Sequence, residues 1–223
     1  MDKDEVSGAP GTRPVISYRQ VTLSWHGHTV LEDFSLDVAL REKVLLFGRS
    51  GSGKSSLLKM PLGFIRPSSG QVLYRGTPQD RAAVWEARRE IAYVSQDFEL
   101  GEGKVAEFFR SALRLRANRG ISCPGGVPPG EVMQLLELDG GINNKSLGDI
   151  SGGERQRVAL ALALMLGRDI FLLDEPTSAL DSRLKMAVVR YLSGLEDATV
   201  VAVSHDPTWL EARNFRRVEL DGG

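Results

Sequence analysis

The chain carries a single cysteine, Cys123, among its 223 residues. One thiol excludes an internal disulfide framework and suits a reducing compartment. Cys123 sits in a Gly/Pro-rich stretch with no histidine beside it, which argues against a nucleophilic role. No uninterrupted apolar run approaches the roughly 18 residues needed to span a bilayer. The opening Met1-Asp2-Lys3-Asp4-Glu5 is acidic and polar rather than signal-like. A soluble, cytoplasmic chain is therefore expected. Charge of one sign is also lacking: 28 Lys and Arg stand against 29 Asp and Glu, a net −1. That balance leaves no electrostatic footprint for nucleic acid or an anionic membrane surface, so a membrane would be reached through a protein partner.

What is present fits one large α/β domain, residues 14–223, behind a disordered leader, residues 1–13, with Gly8, Pro10 and Gly11. Alternating apolar residues predict strands at Val15–Tyr18, Val21–Trp25, Thr29–Leu31 and Phe34–Val38, with His26-Gly27-His28 as a turn. Such a run implies an antiparallel sheet at the N-terminal side. Later apolar runs, Val44–Phe47, Ile91–Val94, Ile170–Leu173 and Thr199–Val203, have the composition of strands buried on both faces of a parallel sheet. Helices are predicted over Arg81–Arg89, Glu154–Leu166 and Ser182–Leu195. A strand Gln71–Tyr74 follows the turn Arg66–Gly70, and Pro61 should bend or end the helix before it. Between about residues 97 and 150, Val105, Phe108, Phe109, Ala112 and Leu113 fit one amphipathic helix and Val132, Leu135 and Leu136 a second. This reads as a small helical subdomain inserted into the main fold, with a loop from Gly120 to Gly130. The strand-helix alternation predicts a helix-covered, mostly parallel sheet.

The run Gly48-Arg49-Ser50-Gly51-Ser52-Gly53-Lys54-Ser55 fits G-x-x-x-x-G-K-[ST], and it lies between a predicted strand and a predicted helix that opens Ser55-Ser56. Small residues let the backbone curl into a ring of N–H groups that cradles phosphate oxygens, backed by the positive end of the helix. Lys54 is placed to reach the β- and γ-phosphates, and the Ser55 hydroxyl to ligate Mg²⁺.

Polar residues recur where the other apolar strands end: Gln96, then Asp174 and Glu175, then Ser204 and His205. Open α/β sheets build their ligand crevice at those ends. Asp174 can complete the metal site begun by Ser55, and the amide of Gln96 can bridge metal and water. Glu175, on an extended backbone, would point away from Asp174 and orient or deprotonate the attacking water. His205 can hydrogen-bond a γ-phosphate oxygen. Ser151 and Glu154 form a capping box for the helix that follows. Gly152 and Gly153 weaken a helix start but permit a close backbone approach, and this second anion-friendly helix end suits another molecule's nucleotide. Trp25, just before the hairpin turn, is either a core aromatic or an exposed plate for a purine.

Taken in order, Gly48–Ser55, Gln96, Ile150-Ser151-Gly152-Gly153-Glu154, Ile170–Glu175, Ser178-Ala179-Leu180-Asp181 and His205 resemble the motifs of ATP-binding cassette ATPases, from about Val15 to the C-terminus. The resemblance implies a P-loop NTPase fold and a head-to-tail dimer, homomeric or heteromeric, sandwiching two ATP·Mg²⁺. Each P-loop would face Ser151-Gly152-Gly153 of the other subunit. It further implies that Trp25 replaces the adenine-stacking aromatic, that Glu175 is the catalytic carboxylate, that His205 is the switch histidine, and that Asp181 lies in the subunit-communicating loop. The helical subdomain and the Gln96 loop would receive a coupling helix from transmembrane permease subunits. The signature departs mildly from the common pattern, with Ile150 for Leu and Glu154 for Gln. A soluble mechanical ATPase acting on ribosomes or DNA is the alternative. One cassette, no heptad run and no basic patch favour transport.

Overall fold

The computed structural model describes residues 13–97, 99–115, 118 and 128–220. Residues 1–12, most of the expected 120–130 loop, and Cys123 lie outside it.

The chain opens with β1 (Pro14–Trp25) and β2 (His28–Ala39), which pair antiparallel from Pro14↔Ala39 to Trp25↔His28. The two predicted strands over residues 15–25 are one bent strand. Gln20 takes φ 47 and the register slips between Tyr18 and Val21, as a β-bulge bends a ladder without ending it. β3 (Lys43–Gly48) then enters the interior, and α1 (Lys54–Lys59) leaves it. Met60 caps α1 and Pro61 follows, so the proline ends this helix rather than bending it. β4 (Ser69–Tyr74) pairs antiparallel with β1, and the short β5 (Thr77–Pro78) completes a four-stranded sheet in the order β2-β1-β4-β5.

α2 (Arg81–Glu90), N-capped by Asp80, leads to β6 (Ile91–Val94). α3 (Val105–Arg114), α4 (Pro129–Leu135) and a 3₁₀ turn (Ile142–Asn144) follow, then α5 (Gly152–Met165), β7 (Ile170–Asp174), α6 (Ser182–Gly194), β8 (Thr199–Val203), α7 (Pro207–Leu210) and β9 (Arg216–Leu220). The second sheet has five strands in the order β6-β7-β8-β3-β9, all parallel.

Every residue of β7 and β8 is buried, as expected for strands covered on both faces. Alternate residues feed two cores. Leu45, Phe171, Leu173, Val200 and Ala202 pack with α5 and α6, whereas Val44, Leu46, Leu172, Val201 and Val203 pack with α1 and the antiparallel sheet. Phe109 is buried and Phe108 half-buried in the first of these cores, so the aromatic stripe of α3 is internal packing. The Tyr18 hydroxyl donates to the Leu57 carbonyl at 2.8 Å and ties the antiparallel sheet to α1.

β9 has no counterpart among the predicted strands. It is an edge strand, and its sequence Arg-Arg-Val-Glu-Leu alternates charge with apolar residues instead of forming an apolar run. Its last residue matters to the site: a Cβ on Gly48, which has φ 131, would lie 2.2 Å from the Leu220 carbonyl oxygen. Only glycine fits there.

Candidate nucleotide site

β3, β6, β7 and β8 bring their carboxyl ends to one cleft of about 210 Å³. The turn between β3 and α1 forms one wall through Ser50, Gly51 and Gly53, and α1 contributes Lys54, Ser55 and Ser56. Gln96 comes from beyond β6, Asp174 and Glu175 from the end of β7, and His205 from beyond β8. Residues far apart in the sequence meet here because parallel strands place all their carboxyl ends on the same side.

Gly53 begins α1 in the left-handed region, φ 88, with no side-chain cap and no acidic residue in the first turn. The first N–H groups of the helix are thus left to a ligand. The Lys54 ammonium folds over the turn and donates to the carbonyls of Gly48 at 2.9 Å and Arg49 at 2.5 Å, and to Ser52 Oγ at 3.3 Å. Gly48, Arg49 and Ser52 therefore lie beneath the amine rather than lining the cleft. Burial pushes the Lys54 amine below the usual lysine range, while the carboxylates of Glu175 and Asp174 pull it back up.

Ser55 Oγ donates to Asp174 Oδ1 at 2.9 Å. A hydroxyl and a carboxylate oxygen this close are hard donors of the kind Mg²⁺ takes, and that ion needs few protein ligands because it keeps several waters. The donor set fits the ion. Burial raises the Asp174 carboxyl, and the Ser55 hydrogen bond and nearby lysines counter it.

Glu175 does not lie on extended backbone, contrary to the sequence expectation: its φ is 45. A left-handed residue turns the chain sharply after β7, and its carboxylate enters the cleft beside Asp174. The Glu175 N–H donates to the Val203 carbonyl at 3.0 Å. Ser204 Oγ donates to Glu175 Oε2 at 3.3 Å, and His205 Nε2 lies 3.8 Å from Oε1. Burial lifts the Glu175 carboxyl above the ordinary range, opposed by His205 and the Ser204 hydroxyl.

Besides Gly48, Arg49 and Ser52, two further sets of predicted residues lie outside the cleft. Trp25 stands at the hairpin tip, 58% exposed, with its ring 6.1 Å from that of His26. The same hairpin presents Val30 to the cleft wall, and the exposure of Trp25 removes the core alternative. Ser151, Gly152 and Gly153 begin α5, where Ser151 accepts from the Glu154 N–H at 3.2 Å and Glu154 returns the bond to the Ser151 N–H at 2.8 Å. Ser151 and Gly152 are exposed and Gly153 half-buried. A Cβ on Gly152 would meet nothing within 4 Å, whereas one on Gly153 would lie 3.0 Å from the Ala179 carbonyl. The close approach that Gly153 permits is to its own chain.

Sequence reasoning gave no role to Ser204, which is fully buried, or to Gln156, which is 4% exposed. Ser204 was named only as the neighbour of His205. Gln156 lies in the charged run Glu154-Arg155-Gln156-Arg157 at the start of its helix, so nothing in the local pattern marks it as buried.

A family model described as ABC transporter matches residues 31–178, more than half of the chain. The chain belongs to the ABC transporter family. Among its relatives, the uncharacterized ABC transporter ATP-binding protein y4fO of Sinorhizobium fredii is 34% identical over 195 residues, 86% of this chain and 56% of that protein. The spermidine/putrescine import ATP-binding protein PotA of Spiroplasma citri is 34% identical over 197 residues, 86% of this chain and 55% of that protein. This ABC family chain thus spans about half the length of the curated relatives it matches. Of solved structures, the dimeric post-hydrolysis state of the ATP-binding cassette MJ0796 bound to ADP and Pi superposes with a TM-score of 0.76 at 26% identity. That match covers 92% of this chain and 94% of that one.

Proposed function

We propose that this chain is the ATP-hydrolysing subunit of an ABC transporter, working as a cassette over residues 14–223 with the helical segment 97–150 inserted. The observation that carries the reading is the single cleft in which Lys54, Ser55, Gln96, Asp174, Glu175 and His205 converge at the strand ends. In this reading the turn from Gly48 to Ser56 cradles the phosphates of ATP, and Lys54 leaves the loop carbonyls for the β- and γ-phosphates. Ser55, Asp174 and Gln96 would hold Mg²⁺, which when bound neutralises charge on the phosphate oxygens. Glu175 orients a water and accepts its proton; burial has already made its carboxyl more basic than usual. His205 contacts the γ-phosphate, and Trp25 stacks on the adenine.

The exposed α5 start supports a dimer in which Ser151, Gly152 and Gly153 of one subunit close over the nucleotide of the other. The dimeric MJ0796 cassette is a structural precedent. No helix among the described residues is long and apolar enough to cross a membrane. In this reading the chain attaches peripherally at the inner face through permease subunits, which the name of an import ATP-binding relative supports.

Phosphate release with and without Mg²⁺, together with sizing in ATP, tests the reading. Hydrolysis that requires Mg²⁺ and an ATP-dependent dimer are expected. A chain that sediments with ribosomes and never co-purifies with a membrane complex overturns the transport assignment.

A further inference from the structure

α5 serves a purpose that its exposed N-terminus does not reveal. One turn in, the Gln156 side chain is buried and fully satisfied. Its Nε2 donates to the Glu175 carbonyl at 2.8 Å and to Ser178 Oγ at 3.2 Å, and its Oε1 accepts from the Ala179 N–H at 2.8 Å. All three partners lie in the turn that follows β7, and this turn contains the left-handed residue whose carboxylate enters the cleft.

A non-glycine residue at φ 45 is a costly conformation that persists only where its surroundings hold it. Glu175 is held at both ends. Its N–H is taken by Val203 of β8, and its carbonyl accepts from the Gln156 amide of α5 at 2.8 Å and, within the turn, from the Ser178 N–H at 3.3 Å and hydroxyl at 3.1 Å. Among the described residues Gln156 is thus the one donor to that carbonyl from another element. The same turn runs close to the start of the same helix, where a Cβ on Gly153 would lie 3.0 Å from the Ala179 carbonyl oxygen.

We propose that Gln156 is a positioning residue for Glu175: its amide fixes the backbone that aims the water-directing carboxylate, within the same subunit. α5 then has two duties. Its first turn faces a second subunit's nucleotide, and its second turn sets the geometry of hydrolysis at its own. The two duties are joined through one side chain, so a shift of α5 moves both. This rests on the reading of Glu175 as the carboxylate that directs water.

The test replaces Gln156 with methionine, similar in length but without hydrogen bonds, and measures steady-state ATP hydrolysis per folded protein. A displacement of the carboxylate by about 1 Å lowers kcat on the order of 10²-fold. KM for ATP should stay within about threefold, because phosphate binding does not use the amide. The ATP-bound dimer should still form when Gln156→Met is combined with Glu175→Gln. A purely structural role would lower the melting temperature and leave kcat per folded molecule unchanged, which overturns the proposal. So does a rise in KM with loss of the dimer, which would place the action of Gln156 at the partner's nucleotide. If the methionine variant folds poorly, Gln156→Glu keeps the shape and the acceptor for Ala179, removes both donors, and should show the same loss of kcat. Glu175→Gln run alongside separates the two readings. If Glu175→Gln hydrolyses ATP normally, the proposed function fails. If it is inactive while Gln156→Met is as active as the parent, only the positioning role fails.

Discussion

α1 and α5 both begin on small residues that leave backbone N–H groups pointing outward, yet α1 starts with no side-chain cap and α5 with a complete one. Around α1 the ends of β6, β7 and β8 add Gln96, Asp174, Glu175 and His205, and the β1-β2 hairpin adds Val30. A Cβ on Gly152 would meet nothing within 4 Å, and the Lys145–Glu154 ion pair at 2.6 Å occupies the flank of the cap. Local chemistry is therefore insufficient to make a site. One helix start is completed by its own chain; the other carries its own cap and leaves an exposed surface, the one the proposed dimer would use.

The sharpest way to break this contrast is to disable the α1 half chemically while leaving its shape intact. Glu175→Gln should lower kcat by about 10² to 10⁴-fold, the usual range for loss of a general base, while ATP is still bound. Phosphate release beside calorimetric ATP titration measures both.

Lys54→Ala comes next. Loss of a charged donor to phosphate is worth about 1.5–3 kcal/mol, so ATP affinity should fall roughly tenfold to hundredfold, and the ATP-dependent dimer should disappear on a sizing column.

At the α5 end the corresponding change is smaller. Ser151→Ala removes the cap, which typically costs about 1 kcal/mol, and lowers the melting temperature by about 2–4 °C in a chain this long. If the α5 start were inert, hydrolysis per folded molecule would be unaltered; a fall in hydrolysis with ATP affinity retained supports the two-subunit site.

The smallest effect concerns pH in the nucleotide-free protein. Burial raises the Asp174 carboxyl, so the native state favours its protonated form and ionised Asp174 destabilises the fold at neutral pH. Asp174→Asn should raise the melting temperature at pH 7 in the absence of metal. The gain should shrink as the pH falls through the raised pKa, where Asp174 itself becomes neutral. Melting curves between pH 4 and pH 7.5 would show a constant difference if the reasoning were wrong.

Much of this was legible in the residues. Val44–Phe47, Ile170–Leu173 and Thr199–Val203 are apolar on both faces because helices cover both sides of the sheet, and composition reports that burial directly. The glycines of the P-loop and the Ser151–Glu154 box are short-range signals, and both lie at helix starts. β9 was not legible, because an edge strand with one covered face does not form an apolar run. Nor was the backbone of Glu175, because nothing local marks a glutamate as left-handed; its conformation is imposed by β8 on one side and α5 on the other.

By itself, then, the sequence determined the strand-helix alternation, the phosphate loop and the identity of the polar residues at strand ends, since these depend on periodicity and contacts within a few positions. Tertiary structure alone decided that Lys54, Asp174, Glu175 and His205 meet in one cleft, that Trp25 is exposed, and that Gln156 grips the turn carrying Glu175. Those facts depend on strand order and helix packing, where residues distant in sequence are brought together by the burial of two shared cores.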